Sequence, residues 1–265
     1  MRRGLLVLSA ACVVLGGALF TIALHTSRGV RWDTEIQLAA TGGRNIPSVQ
    51  AASAGLLETI SIGSLALLGG GLVVLALLLG RSRAALGAVL VIAGANLTTQ
   101  VLKPSVGDDR FPSGHATVAM SLALAAVIVS PPAWKLVTAL AGAAYAAGVG
   151  VSLVIQAAHY PSDVAAGYLV AGAWAGAIAA LLPADAAERP RRARAGLIAA
   201  GAAVTGFAVA VAIAVVEHPG IVVRVEDRTK VAFALAVLGG LALLVAVAFA
   251  VLQAMALRSA STTRS

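Results

Sequence analysis

The segment KPSVGDDRFPSGH, residues 103–115, concentrates charge in a chain that has little of it. Only 11% of the 265 residues are charged, whereas 60% are hydrophobic and 4% are aromatic. The segment lies between apolar runs at 84–102 and 113–130. Each run is close to the roughly 20 residues that cross a bilayer as a helix. Backbone polar groups must be paired inside lipid, and neither run alternates like a barrel strand, so both predict helices.

Six further apolar runs extend this prediction along the chain. They lie at 4–24, 54–80, 136–158, 164–182, 196–216 and 231–257. We therefore predict an all-α integral membrane protein with about eight spans. The single cysteine, Cys12, excludes an intrachain disulfide. Despite a net charge of +8, the basic residues stand singly or in small groups without interleaved aromatics, which argues against a nucleic-acid partner.

The distribution of Lys and Arg orients the spans. With the N-terminus in the cytoplasm, the inner segments carry eleven Lys and Arg residues and the outer segments carry eight. The densest basic cluster, RPRRAR at 189–194, then lies inside. Because cytoplasmic loops are enriched in these residues, both termini are expected in the cytoplasm and the 103–115 segment outside. We expect the protein in a bacterial plasma membrane.

Two features of the N-terminal region leave alternatives open. The first apolar run follows Met-Arg-Arg and is either a membrane span or a secretory signal peptide, whose removal would leave the other spans unchanged. Residues 25–53 form a polar external connection. With Trp32, Ile36 and Leu38, it is either a short helix at the membrane interface or an ordinary loop.

The 103–115 segment has the chemistry of an anion site. Pro112 suits the first turn of a helix, and the apolar run after it is that helix. The free backbone N–H groups and the positive dipole end of this helix would face outward. Lys103 and Arg110 bring two cations to the same place, and Ser113 adds a hydroxyl. This combination fits a phosphate group.

A second polar cluster, HYPSD at 159–163, follows the fifth run. His159 and Asp163 are four residues apart, so on a helical turn the carboxylate can hold one imidazole nitrogen and raise the basicity of the other. A nucleophilic or general-base histidine needs such a partner. His115 would be the second histidine, which protonates a leaving oxygen. The simpler alternative is that each histidine only contacts lipid headgroups, and the histidine spacings do not match those of the common zinc motifs.

Together the two clusters resemble the type 2 phosphatidic acid phosphatase (PAP2) superfamily of membrane lipid-phosphate phosphatases. The pattern of that superfamily is K-x6-R-P, then P-S-G-H, then S-R-x5-H-x3-D, on a six-helix core. The matching positions are Lys103 and Arg110, the PSGH at 112–115, and Ser152, His159 and Asp163. The resemblance implies a six-helix core at 1–183. The last two apolar runs carry no motif, so we predict that residues 184–265 form an appended transmembrane hairpin and a short cytoplasmic tail.

The resemblance also implies a role for each matched residue. His159 would be the nucleophile that forms a phosphohistidine, Asp163 its orienting partner, and His115 the general acid. The groups expected to bind the phosphoryl oxygens are Lys103, Arg110, Ser113 and the amide of Gly114. No metal and no cofactor are implied, because the cations stabilise the charge of the transition state.

The chain departs from the superfamily pattern at three places. Leu153 stands where the pattern has its second arginine, and Phe111 stands where it has a proline. The connection between the first two motifs is reduced to nothing, which puts Asp108 and Asp109 beside the cations. Loss of an arginine from a phosphoryl clamp can cost several kcal/mol of transition-state stabilisation.

Two functions therefore remain open at this point. The first is an integral membrane phosphatase that removes the terminal phosphate of a lipid phosphate or diphosphate, of polyprenyl or glycerolipid type, on the extracytoplasmic face. The second is a degenerate, non-catalytic protein that binds a lipid phosphate or assists the cell envelope. A transporter is disfavoured, because it would be expected to have ionisable residues at mid-membrane, whereas most of those in this chain lie at the ends of the spans. The polar residues nearest to mid-membrane are Glu58, Asn96 and Gln100.

Overall fold

The structure, a computed structural model, describes residues 2–182 and 225–262. Within these ranges it is all-helical and contains no strand. The helices are α1 (Arg2–His25), α2 (Ser27–Ala40), α3 (Pro47–Glu58), α4 (Ile62–Leu78), α5 (Ser82–Val106), α6 (Gly114–Val129), α7 (Lys135–Ile155), α8 (Pro161–Leu181) and α9 (Val225–Thr262), with a 3₁₀ helix at Thr41–Asn45.

Five of the described helices are long and apolar enough to cross a membrane, which is consistent with an integral membrane protein. They are α1, α5, α7, α8 and the Val231–Met255 part of α9. A sixth candidate is the pair Pro47–Glu58 and Gly63–Leu78, whose two helices are bent by 61°. The α6 helix is apolar but has only 16 residues. An arrangement of six spans plus two is therefore not confirmed.

The run predicted as one span at 54–80 is broken. It contains the end of α3 and all of α4, separated by a short break. Ser61 begins a new helix there: its side chain accepts a hydrogen bond from the backbone N–H of Ser64 at 3.0 Å, and its own N–H bonds to the Ser64 hydroxyl at 2.7 Å. This reciprocal cap satisfies donors that a helix start leaves free, so the chain can change direction within an apolar run.

Some predicted features lie outside the described residues. These are the predicted span at 196–216 and the basic cluster at 189–194. The division of the chain at residues 183 and 184 stays a prediction. In the described part, α9 packs against α7, α8 and α2. The side chain of Lys135, at the start of α7, donates a hydrogen bond to Gln253 Oε1 of α9 at 2.7 Å.

The polar connection between the first two predicted spans is largely helical. Thr26 caps α2, because its hydroxyl accepts a hydrogen bond from the N–H of Gly29 at 3.0 Å. Trp32 and Leu38 are exposed, whereas Ile36 is buried against the rest of the protein. Of the two alternatives for residues 25–53, the structure therefore shows a helix with one buried and one exposed face.

The α8 helix is packed against α1, α5, α6 and α9. A glycine permits its closest approach to α6: a Cβ atom added at Gly167 would lie 2.8 Å from the carbonyl oxygen of Ser113 and 3.0 Å from the Cβ atom of Ala116. Small residues at helix interfaces let backbones approach in this way. As a result, the start of α8 lies directly beside the start of α6.

Candidate active site

The start of α6 is tied to the start of α8. Ser113 is the N-cap of α6, and its hydroxyl accepts a hydrogen bond from the N–H of Ala116 at 3.4 Å. The backbone N–H of Ser113 donates to the carbonyl oxygen of Asp163 at 2.9 Å. Ser113 is completely buried. This contact brings the PSGH segment against the helix that carries Asp163.

The carboxylate of Asp163 holds His159. Oδ2 of Asp163 lies 3.3 Å from Nδ1 of His159 and accepts a hydrogen bond from the N–H of Tyr160 at 2.8 Å. Asp163 is fully buried and His159 is 9% exposed. The carboxylate sits in the first turn of α8, where the free N–H groups and the helix dipole favour a negative charge. The pairing through Nδ1 leaves Nε2 of the ring available for chemistry.

His115 and Lys103 come from two further elements. Lys103 lies in the last turn of α5 and His115 in the first turn of α6. Gly107 ends α5 in the left-handed conformation, with a φ of 73°, and its N–H bonds to the carbonyl oxygen of Lys103 at 3.1 Å. Both His159 and Lys103 are close enough to His115 for their charges to act on it. The structure thus brings together residues from α5, α6 and the connection before α8.

Arg110 lies beside the same connection. Its guanidinium carbon is 5.6 Å from the centre of the Tyr160 ring, a cation–π contact next to His159. Its backbone N–H donates to Oδ1 of Asp108 at 2.8 Å. One carboxylate of the Asp pair is therefore used to close the turn before α6. Within residues 2–182 and 225–262, no contact of Asp109 explains its position.

The side chain of Leu153 brings no polar group to the site. Its side chain is 1% exposed and packs in the hydrophobic core. Its carbonyl oxygen accepts the N–H groups of Ala158 at 3.0 Å and of His159 at 3.4 Å. The backbone of this position therefore shapes the turn that leads to His159, while the guanidinium of the superfamily pattern is missing.

Asp33 of α2 also reaches the site, without any motif to indicate it. Oδ1 of Asp33 accepts the N–H of Ser162 at 3.2 Å, and Oδ2 accepts the Ser162 hydroxyl. Burial, aided by the charge of Asp163 and opposed by the two bonds from Ser162, raises the pKa of the Asp33 carboxyl from 3.8 to about 6. The sequence does not single out Asp33, because residues 25–53 also hold Glu35 and three arginines.

Two more contacts link the N-terminal region to the same place. Nε of Arg44 donates to the carbonyl oxygen of Ile155 at 3.0 Å, and Nε2 of Gln156 donates to Oγ of Ser53 at 2.7 Å. The partners are 111 and 103 residues apart in the chain. No local pattern predicts contacts over such separations.

The described residues hold no group of three or more His, Cys, Asp or Glu side chains placed to bind a metal ion. The expectation that the site works without a metal stays a prediction.

A family model described as the PAP2 superfamily matches residues 91–187. The match over residues 91–187 supports a PAP2 family member. A PAP2 domain indicates phosphatase-type activity on phosphate esters. The match contains both polar clusters, 103–115 and 159–163, and it leaves α1 to α4 outside. No curated protein and no solved structure matches the chain.

Proposed function

We propose that this PAP2 protein is an integral membrane phosphatase that removes the terminal phosphate of a lipid phosphate or diphosphate on the extracytoplasmic face, through a phosphohistidine. The observation that carries the proposal is the convergence of the His159–Asp163 pair with His115 and Lys103 at one end of the helix bundle. Two histidines beside cations are the groups that phosphoryl transfer through a covalent intermediate needs.

The reaction would proceed in two steps. In the first, Nε2 of His159 attacks phosphorus, the bond to the leaving oxygen breaks, and His115 gives that oxygen a proton. In the second, a water molecule attacks the same phosphorus, the phosphorus–nitrogen bond breaks, and His115 accepts the proton of the water. Inorganic phosphate leaves and both histidines return to their starting states. Asp163 stabilises the positive ring that exists between the steps.

The phosphoryl oxygens would be bound by groups from two sides. The start of α6 offers its free N–H groups and the positive end of its dipole. A serine hydroxyl has one donor and two acceptor sites, so Ser113 can cap α6 and still donate its proton. The binding groups are Lys103, Arg110, Ser113 and the amide of Gly114. Lys103 and Arg110 add positive charge that offsets the phosphate.

A lipid substrate is favoured by the surface beside Lys103. On α5, Leu97 and Val101 lie six and two residues before Lys103, and each is 65% exposed. In a membrane these side chains face the acyl chains. A lipid phosphate can therefore place its tail along α5 and its headgroup at the site without leaving the bilayer. Polyprenyl and glycerolipid phosphates both satisfy this geometry.

The test is phosphate release by the purified protein from polyprenyl phosphate, polyprenyl diphosphate and phosphatidate. Replacing His115 with alanine should lower the rate by about 10²-fold or more, because a positioned general acid contributes about 10² to 10⁴. The variant His159→Ala should be inactive. The matched control is His25→Ala, since His25 is exposed and its ring makes an edge contact with Phe20. Equal release by the wild type and His159→Ala would contradict the proposal.

The missing guanidinium at Leu153 favours a second candidate, a protein that binds lipid phosphates without hydrolysing them. Binding of phosphatidate vesicles by the wild type, with no phosphate release above that of His159→Ala, would establish it. A phosphatase would show both binding and release, and the release would depend on His159.

A further inference from the structure

The connection between α7 and α8, residues 156–160, contains His159, and we call it the His159 loop. Its backbone is strained, because Ala157 has a φ of 50°, in the left-handed region that non-glycine residues rarely adopt. Such a conformation persists only where surrounding contacts hold it. The residues that make those contacts therefore determine the conformation of the His159 loop.

Three side chains from the part of the chain between α1 and α4, namely Asp33, Arg44 and Ser53, bond to the loop or to the helix ends on either side of it. The carboxylate of Asp33 holds the second residue of α8 through both the N–H and the hydroxyl of Ser162. The next residue is Asp163, which holds His159. Asp33 thus acts on the histidine through the first turn of α8.

The other end of the loop is held from the same segment. Arg44 bonds to the carbonyl oxygen of Ile155, the last residue of α7, where a helix leaves its carbonyl groups unpaired. The neighbouring Gly43 packs there too, since a Cβ atom on it would lie 3.4 Å from Cγ2 of Ile155. Ser53 accepts a hydrogen bond from the side chain of Gln156, the first residue of the loop.

We propose that Asp33, Arg44 and Ser53 are positioning residues that hold the His159 loop in place for phosphoryl transfer, an inference that rests on the proposed function. All three lie outside the region matched by the PAP2 model. An attacking nitrogen must sit at near-contact distance from phosphorus, and a misplacement of about 1 Å can cost about 10²-fold in rate. The segment between α1 and α4 supplies a support for the nucleophile that the superfamily motifs do not encode.

The kinetic test uses Asp33→Ala, Arg44→Gln and Ser53→Ala in the full-length protein. We expect each to lower kcat by about 10-fold while KM changes by less than about 3-fold, because the substrate contacts remain and the nucleophile is misplaced. Asp33→Asn should retain more kcat than Asp33→Ala, since the amide can accept from the N–H of Ser162 and donate to its hydroxyl. The control is Thr34→Ala, whose hydroxyl bonds to Val30 within α2.

A second measurement does not depend on turnover. The rate at which diethyl pyrocarbonate modifies His159, read by mass spectrometry of the peptide, should rise in the three variants because a loosened loop exposes the ring. The exposed His25 serves as an internal reference. Unchanged modification of His159 together with unchanged kcat would overturn the positioning proposal while an active wild type still supports the phosphatase. If the wild type releases no phosphate, the proposed function fails, and the modification rates alone decide whether the three side chains hold His159.

Discussion

At the scale of single residues, the reactivity of His159 depends on one carboxylate, that of Asp163. Asp163 contacts His159 and the N–H of Tyr160 through a single oxygen, Oδ2, while Oδ1 is buried and has no hydrogen-bond partner in the described part of the chain. A carboxylate in this position stabilises the charged ring and fixes its tautomer. The negative charge of Asp163 should therefore contribute more to catalysis by His159 than the shape of its side chain does.

The variant Asp163→Asn tests this point. We expect kcat to fall by about 10²-fold or more, because a neutral amide cannot stabilise the positive histidine ring. KM should change little, since Asp163 is buried away from the substrate. The measurement is steady-state phosphate release, with thermal unfolding as the check on folding. A variant that keeps most of the wild-type kcat would contradict the assigned role.

Asp33 gives a prediction about pH and stability. Its pKa in the folded protein, about 6, lies above the ordinary value of 3.8. The protein therefore binds this proton more tightly when folded, and the stability associated with it is present below about pH 4 and lost as the pH rises through about 6. In the described part of the chain, the groups that act on this carboxyl are Ser162 and Asp163, both on α8.

The stability of Asp33→Asn relative to the wild type should accordingly increase between pH 4 and pH 7. Thermal unfolding of both proteins at the two pH values measures it. An identical difference in unfolding temperature at pH 4 and pH 7 would show that the carboxyl is not buried as described. A gain in stability with a loss of kcat would mark Asp33 as a residue kept for function.

At the scale of elements, the start of α8 must lie close to the start of α6. Gly167→Ala would place a Cβ atom 2.8 Å from the carbonyl oxygen of Ser113 and push the two helices apart. We expect a loss of about 1–3 kcal/mol in stability and a lower kcat, because overpacking forces backbone shifts. The control is Gly240→Ala in α9, where an added Cβ atom meets nothing within 4 Å. Equal behaviour of the two variants would argue against the close packing.

The elements also show what local sequence can predict. The proline and the apolar run after it predict a helix start at this place, and these signals are local. The structure differs in one detail, since Pro112 precedes the N-cap Ser113 and does not lie in the first turn of α6. The break at 59–61 was not expected, because the residues on both sides are equally apolar and the cap is made by two serines that also occur inside spans. Hydropathy detects apolar length, whereas a change of direction depends on a few hydrogen bonds.

At the scale of the whole molecule, the sequence was sufficient to predict the superfamily and the all-helical structure. The superfamily prediction is confirmed by the match over residues 91–187. The support of the His159 loop could not be predicted, because Asp33 and Ser162 are 129 residues apart and no period links them. Motifs report groups that touch the substrate, whereas the residues that hold those groups are found only when the chain is folded.

In the proposed reaction, His159 carries the phosphoryl group between the two steps. Rapid mixing of the protein with a polyprenyl phosphate, an alkaline quench that preserves phosphohistidine, and mass spectrometry of the His159 peptide test it most directly. We expect a phosphoryl group on His159 that forms within one turnover, decays as phosphate is released, and is absent from His159→Ala. Phosphate release by the wild type without any phosphoryl group on His159, and undiminished release by His159→Ala, would contradict it.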